Sequence, residues 1–492
     1  MGRLTGMGDE AFDILIIGAG LSGVGAAWYV SRRLPRLRYA VLEARSSIGG
    51  TWDLFRYPGV RSDSDMHTLG FSFRPWTDDK AFADGETIRR YIEDTARESG
   101  VDQHIRLGQR VVAADWSSAE GRWRLTLESD AGEQRLTCRF LYLCTGYYDY
   151  AGGHQPSWPN MDAYRGRQVH PQAWPQDLDV SGKQVVVIGS GATAVTLVPA
   201  LADAAAHVTM LQRSPTYVVA RPARDAGAAW LRRRLPPRLA HALTRLKYVA
   251  LGMAVYGYAR RWPGKVKARL AALAREALGP EVELRHFTPA YEPWDQRLCV
   301  APDGDLFAAI RSGKASVVTD AITAFTPDGL ALKSGAELKA DVIVSATGLR
   351  LMMLGGAQLR VDGAAVKLAE RLIYKGMMIE GVPNLAFALG YTNASWTLKC
   401  ELTSRYVCRL LAAMDRRGAQ AATPSAAGLA IEPRPAITLT SGYVQRAADV
   451  LPRQGGRAPW RLNQNYVLDL IALRWGRVDD AALRFSRRQT AG

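Results

Sequence analysis

Two glycine-rich hexapeptides carry the first chemistry legible in this 492-residue chain. Gly18-Ala19-Gly20-Leu21-Ser22-Gly23 follows an apolar, β-branched run, Phe12–Ile17, and precedes a helix-forming stretch through Tyr29. A turn of this kind serves a dinucleotide. Gly18 makes the tight turn, Gly20 lets a pyrophosphate reach the backbone, and Gly23 lets helix and strand pack closely. The free N–H groups of the helix N-terminus, around Ser22, then face the phosphates. Arg38–Leu42 reads as the next strand and ends on Glu43, 20 residues past Gly23. A carboxylate there accepts from both ribose hydroxyls and repels a 2′-phosphate. The second copy has Lys183–Ile188 as its strand and Gly189-Ser190-Gly191-Ala192-Thr193-Ala194 as its turn, with alanine at the third glycine position. Its next strand, Val208–Leu211, runs into Gln212-Arg213 where the first copy has Glu43. Arginine at that place favours a 2′-phosphate, hence NADP over NAD.

Stepping outward, these turns need two strand–turn–helix–strand folds, and two such folds imply two dinucleotides, FAD in the first and NADPH in the second. Phe140–Gly146 and Asp341–Gly348 are both apolar strands ending in Thr-Gly. They read as the points where the chain leaves the first fold and later returns to it. The predicted fold class is α/β, with two dinucleotide-binding, Rossmann-like domains and the NADP domain inserted into a discontinuous FAD domain. The expected boundaries are 8–150 and 351–492 for the two parts of the FAD domain and 151–350 for the NADP domain.

Composition narrows the class further. Hydrophobic residues make up 48% and charged residues 22% of the chain, which excludes a disordered protein. Five cysteines form no CxxC pair and no zinc spacing, so no metal site is expected and a reducing, cytoplasmic setting is. No apolar leader with a cleavage site is read at the N-terminus. The net charge of +16 is concentrated: Arg221–Arg269 holds thirteen Lys/Arg against one acid, Asp225. A basic helical insert at about 221–280 follows. One reading is a solvated face; another is weak, peripheral contact with an anionic membrane, because the charge-free run Tyr248–Ala259 lies among those bases. Twelve residues fall short of the ~20 that span a bilayer. No nucleic-acid motif accompanies the charge.

Between the hinges, Tyr164-Arg165-Gly166-Arg167-Gln168-Val169-His170-Pro171-Gln172-Ala173-Trp174-Pro175 resembles the fingerprint FxGxxxHxxxWP of type I Baeyer–Villiger monooxygenases, with Tyr164 for the usual Phe. The stretch Gly49–Met66, which includes Thr51-Trp52-Asp53 and Ser62-Asp63, is similar to the flavin-contacting stretch of the ethionamide-activating mycobacterial branch of that family. Phe287–Val300 and Gly390–Thr397 match that branch too, and the resemblance covers almost the whole chain. It implies conversion of ketones to esters or lactones with O2 and NADPH through a C4a-peroxyflavin, and oxidation of sulfides or thioamides. It implies Arg297 as the active-site arginine and Asp63 as its carboxylate partner. Thr51, Trp52, Asp53 and Asp63 become flavin contacts, and the backbone of Val112 meets the adenine. Where many members carry Lys-Arg, this chain has Gln296-Arg297. Its phosphate affinity must then rest on Arg213 or another base.

Other functions share parts of this pattern. An N- or S-oxidising flavin monooxygenase without ketone activity would lack the acid–arginine pair. A pyridine-nucleotide disulfide reductase needs a redox-active cysteine pair near the flavin, and the first 137 residues contain no cysteine. A flavin-bound membrane scaffold would consume no NADPH. Native substrate and oligomeric state are not encoded in any motif.

Overall fold

A computed structural model describes residues 10–487. Residues 8–9 and 488–492 of the expected FAD domain lie outside the described residues. The chain opens with β1 (Glu10–Ile17), α1 (Leu21–Arg33) and β2 (Tyr39–Leu42). A single-turn helix α2 (Thr51–Leu54) follows, then β3 (Ile105–Arg106), β4 (Arg110–Ser117), β5 (Arg122–Ser129) and β6 (Gly132–Leu143). β1 is apolar at nearly every position because both its faces are covered. Ile14 and Ile16 pack against α1, whereas Phe12, Leu15 and Ile17 pack with the β4–β6 side. Arg32 and Arg33 close α1, where positive charge meets the negative end of the helix dipole.

The middle of the chain builds a second sheet from β7 (Arg167–Val169), β8 (Gln184–Ile188), α3 (Ala192–Ala202) and β9 (His207–Gln212). Three helices come next, α4 (Ala226–Arg234), α5 (Pro237–Arg261) and α6 (Pro263–Leu278). Prolines at the first positions of α5 and α6 suit helix starts, whose N–H groups need no partner. β10 (Ala315–Thr319) and β11 (Val342–Ser345) complete an all-parallel sheet in the order β10-β9-β8-β11-β7.

The chain then returns to the first sheet with β12 (Gln358–Val361), β13 (Ala364–Ala365) and β14 (Leu385–Phe387). That sheet runs β13-β12-β4-β5-β6-β1-β2-β3, and β14 pairs with β6 beyond the end of β5. Strands β1–β6 and β12–β14 thus share one sheet, β7–β11 form the other, and further short strands between residues 167 and 345 make two small sheets of their own. A long helix, α7 (Trp396–Arg417), packs on α1, and two short helices follow, α8 (Gly442–Arg446) and α9 (Tyr466–Leu470). Residues 221–280 are almost wholly helical, yet not wholly solvated: Arg245 of α5 is buried and ion-paired with Glu401 of α7 at 2.9 Å. All five cysteines are buried and unbridged. Among the described residues no helix is long and apolar enough to cross a membrane, and no cluster could hold a metal ion.

Candidate active site

Both glycine turns open on one cavity of about 1140 Å3. At the first turn Gly18 has φ +102°, and a Cβ there would lie 2.7 Å from the Cys144 carbonyl oxygen. A Cβ on Gly23 would come within 1.7 Å of the Gly18 carbonyl oxygen, so only glycine lets α1 begin this close to the turn. Gly20 faces the Gly50 backbone, and a Cβ on it would lie in contact with the Gly50 Cα at 3.4 Å. α1 starts at Gly20 without a side-chain cap, which leaves donors at its N-terminus for a ligand. Glu43 is buried, with Oε2 accepting from the Ala19 N–H at 2.7 Å and Oε1 from the Arg45 N–H at 2.9 Å. Burial pushes its pKa up against those two bonds. The carboxylate is fixed in place, and each oxygen keeps a free lone pair.

The second turn repeats the construction. Gly189 has φ +138°, and a Cβ there would meet the Ala346 carbonyl oxygen at 2.3 Å. Each first glycine is therefore pressed against one of the two Thr-Gly strand ends, Cys144–Gly146 and Ala346–Gly348. α3 also begins without a side-chain cap, at Gly191, beside which there is open space. These are cradles that a Cβ would fill and helix ends that lack a partner, and they fit two bound dinucleotides. Arg213 is exposed and lines the cavity next to them. Opposite, at the end of α8, Arg446 also lines the cavity. Its burial and the nearby charge of Arg213 lower its pKa from the ordinary value. Among the described residues neither arginine has a carboxylate partner, and Arg446 reaches only the Leu349 carbonyl at 3.5 Å. Two like charges facing one opening leave a place for an anion.

Arg297 lies deeper in the same cavity, with Asp63, Gln296, Thr51 and Trp52. Its Nη2 donates to the Tyr391 carbonyl at 3.2 Å, while its Nε is buried with no partner. Burial opposes the charge, but Tyr147, Asp63, Tyr443 and Tyr148 outweigh it and hold the guanidinium pKa above its ordinary value. The expected contact ion pair is corrected in one respect. Asp63 acts on Arg297 through space and is not within salt-bridge distance of it; the arginine is seated by a backbone carbonyl. Tyr147 stacks on Trp396 at 5.1 Å and meets Tyr148 edge-on at 4.7 Å, so aromatic rings wall this end. The indole of Trp396 donates to the Ser22 hydroxyl at 2.8 Å, which ties the wall to α1.

Of the residues expected to contact cofactors, Gly18, Gly20, Ser22, Glu43, Thr51, Trp52 and Asp63 line the cavity on one side, and Gly189, Gly191, Ala192, Thr193 and Arg213 on the other. Five do not. Gly23 and Ala194 sit behind their turns, where they are required for packing. Asp53 is buried and spends its carboxylate on Arg45, at 2.6 Å, and on Arg56, which fixes α2 rather than a ligand. Gln212 is buried, and its amide donates to the His286 carbonyl at 2.8 Å and to Thr319 Oγ1 at 2.9 Å. Val112 is the extra residue of a β-bulge, with no register partner in β5; the neighbouring Gln109, Arg110 and Val111 line the cavity instead. His170 does not line it either. Its ring fills the space that a Cβ on Gly153 would need, 2.0 Å away, and its Nδ1 accepts from the Gln172 N–H at 3.1 Å. The residue after Gly153, His154, is bonded through its N–H to the Gly348 carbonyl at 2.9 Å, so the loop that His170 packs against is tied to the second Thr-Gly end.

Arg446, Tyr147, Tyr148 and Tyr443 are the site residues that no motif announces. The two adjacent tyrosines follow directly on Thr145-Gly146. Tyr443 and Arg446 lie in a segment with no recognisable spacing, brought to the cavity only by folding.

A family model described as flavin-binding monooxygenase-like matches residues 12–245. The FAD-containing monooxygenase EthA of Mycobacterium tuberculosis is 52% identical over 97% of this chain and 98% of its own. The chain belongs to the FAD-containing monooxygenases. Among solved structures, an oxidized steroid monooxygenase bound to NADP superposes with TM-score 0.76, 22% identity and coverage of 97% of this chain and 100% of that one. An ε-caprolactone-bound cyclohexanone monooxygenase gives TM-score 0.74 at 20% identity, with the same coverage. Those two likenesses establish the shared fold of this family member: two dinucleotide-type domains around one cavity.

Proposed function

We propose that this monooxygenase is an FAD- and NADPH-dependent Baeyer–Villiger enzyme that converts ketones to esters or lactones and also oxidises sulfides or thioamides. The observation that carries the reading is the seat of Arg297. A guanidinium that cannot deprotonate faces the cavity shared by both glycine turns, with Nε unpartnered. FAD would supply oxygen activation and NADPH the hydride. The first would be held by the Gly18–Gly23 turn, Glu43 and Thr51-Trp52, the second by the Gly189–Ala194 turn and Arg213. Arg297 offers fixed positive charge to the anion that develops when an activated oxygen attacks a carbonyl carbon, an effect strengthened where water is excluded. The rings of Tyr147, Tyr148 and Trp396 line that end of the cavity with apolar surface. Asp63 adds negative potential that keeps the buried cation tolerable. The names of the relatives and neighbours support the reading, since one neighbour is a cyclohexanone monooxygenase holding a lactone.

The test is NADPH consumption by the purified yellow protein against panels of ketones and sulfides, with products identified by mass spectrometry. Ketone-dependent consumption with ester or lactone formation is expected. Consumption with sulfides or amines and no product from any ketone would support the N- or S-oxidising alternative instead.

A further inference from the structure

The outer half of α5 is largely exposed. From Ala250 to Tyr258 every residue except Met253 and Tyr256 is exposed, within the charge-free run Tyr248–Ala259. At the other end of the chain, α9 and the π-turn Ile471–Trp475 that continues it expose Val467, Leu468, Ile471, Arg474 and Trp475 while burying Asp469 and Leu473. Twelve of the fifteen exposed large apolar side chains among the described residues lie on α5 as a whole, on α9 and its π-turn, and on α4 and Trp262 beside them. Leu246 and Trp475 are both 63% exposed, Ile471 52% and Val255 48%. The segments touch: Tyr466, at the head of α9, packs with Val249 and Met253 of α5 around Tyr391 and Leu398. Concentration of this kind marks an interaction surface, since single exposed apolar residues are normally scattered.

We propose that this two-helix face docks on an anionic lipid bilayer. Charge selects the partner. Of the thirteen bases between Arg221 and Arg269, only Arg232, Arg245, Lys247 and Arg260 have a carboxylate within ion-pair distance among the described residues. The other nine keep their charge for something else. A second copy of the chain would bring the same bases to the same face and be repelled. Three exposed tryptophans each carry an arginine over the ring, Trp230 with Arg234, Trp262 with Arg261 and Trp475 with Arg474. Amphipathic aromatic rings beside cationic heads suit the headgroup layer. The apolar run is about 18 Å long as a helix, against a hydrocarbon core of about 30 Å, so the helix lies in the interface and does not span it.

The face also backs on the cavity. Val249 of α5 packs against Tyr391, and Asp469 of α9 accepts from the Tyr391 hydroxyl at 2.8 Å. The Tyr391 carbonyl is the group that seats Arg297. Docking would therefore engage helices that contact Tyr391, whose carbonyl holds Arg297 of the proposed site.

Co-sedimentation of the full-length holoprotein with phosphatidylcholine vesicles, with and without phosphatidylglycerol, tests this at low and high salt. Each base near an anionic surface raises affinity about five-fold. Binding to the anionic vesicles should therefore exceed binding to neutral ones by at least about ten-fold. High salt should abolish the difference. The pair Val255→Glu and Ile471→Glu, both on the exposed face, should lower anionic binding by about ten-fold, while Leu107→Glu, exposed elsewhere, should not change it. Circular dichroism verifies the fold of each variant, and the salt arm on the unaltered protein needs no variant. Equal recovery in every supernatant overturns the proposal. So does binding that the paired substitutions leave unchanged, or a dimer in sedimentation velocity that they dissolve.

Discussion

In the proposed reaction Arg297 concentrates the chemistry in one side chain. Its guanidinium donates to a backbone carbonyl, has phenols around it, and feels the Asp63 charge through space. Arg297→Ala should leave NADPH consumption running, because hydride transfer develops no anion at this place. Ketone oxygenation should fall at least about a hundredfold, the scale for losing one preorganised donor, and hydrogen peroxide should appear in place of ester. Arg297→Lys should restore little, since a point ammonium lacks the planar fork. Paired assays of ester and peroxide decide it, and a normal ester yield from Arg297→Ala removes the assignment. The second residue-scale question is the phosphate of NADPH. Gln296, next to Arg297, brings no charge to that phosphate, and Arg446 is the base that folding brings to the cavity near Arg213. Arg213→Ala and Arg446→Ala should each weaken NADPH binding by about 1.5–3 kcal/mol, as for a charged hydrogen bond, with NADH nearly unaffected. Titration calorimetry with both coenzymes measures this. Equal losses for NADH would mean that neither arginine touches the 2′-phosphate.

At the scale of elements, α5 is anchored by a buried charge. Arg245 donates to the carbonyls of His67 (2.9 Å), Thr68 (3.3 Å) and Gly70 (2.7 Å) and pairs with Glu401 of α7. Glu401 in turn accepts from the Ser72 N–H and hydroxyl, both at 2.9 Å. One arginine thus ties the basic insert to the segment that follows Asp63 and to the helix behind the cavity. Arg245→Met should cost about 3–5 kcal/mol, because it strands the Glu401 charge in the interior. Arg245→Met with Glu401→Leu should recover more than half of that loss. Urea denaturation of the single and double variants gives the comparison, and additive losses would show that the pair is not coupled.

For the whole molecule, the same interface sets a response to acid. His67, in the turn helix Met66–Leu69, and His241, on α5, are both buried, and burial lowers both pKa values to about 4. His67 stacks on Tyr248, and Asp225, Arg232, Lys247 and Arg245 act on the pair electrostatically. The unfolded chain binds protons near pH 6.5 and the folded one only near 4. The stabilisation is therefore complete above about pH 6.5 and is lost as pH falls toward 4, on the order of 3 kcal/mol per histidine. Melting temperature should drop steeply across that window. His67→Phe, which keeps the stack and removes the proton site, should flatten the slope; an unchanged slope would locate the acid sensitivity elsewhere.

The two dinucleotide folds were legible in the chain because their demands are local. A turn against a strand end needs glycine at fixed offsets, and Gly18, Gly23 and Gly189 stand where a Cβ would collide with backbone. The acid and the arginine at the second strands, Glu43 and Arg213, follow from the same short-range geometry. The fingerprint around His170 and the stretch around Asp63 identified the family from residue types and spacing alone. What neighbours along the chain could not tell is which polar groups satisfy one another across hundreds of residues. Asp53 and Gln212 read as ligand contacts, yet the Asp53 carboxylate and the Gln212 amide N–H groups are taken by partners within the protein. Arg245 read as one more solvated base and is instead the buried anchor of α5. Arg446 and Tyr443 carry no sequence signature, because their places beside Arg213 and Arg297 depend on the return of the chain to the first sheet. Tertiary structure decided these roles for one physical reason: burial makes every charge and hydrogen-bonding group require a partner, and which partner is near is a property of the fold.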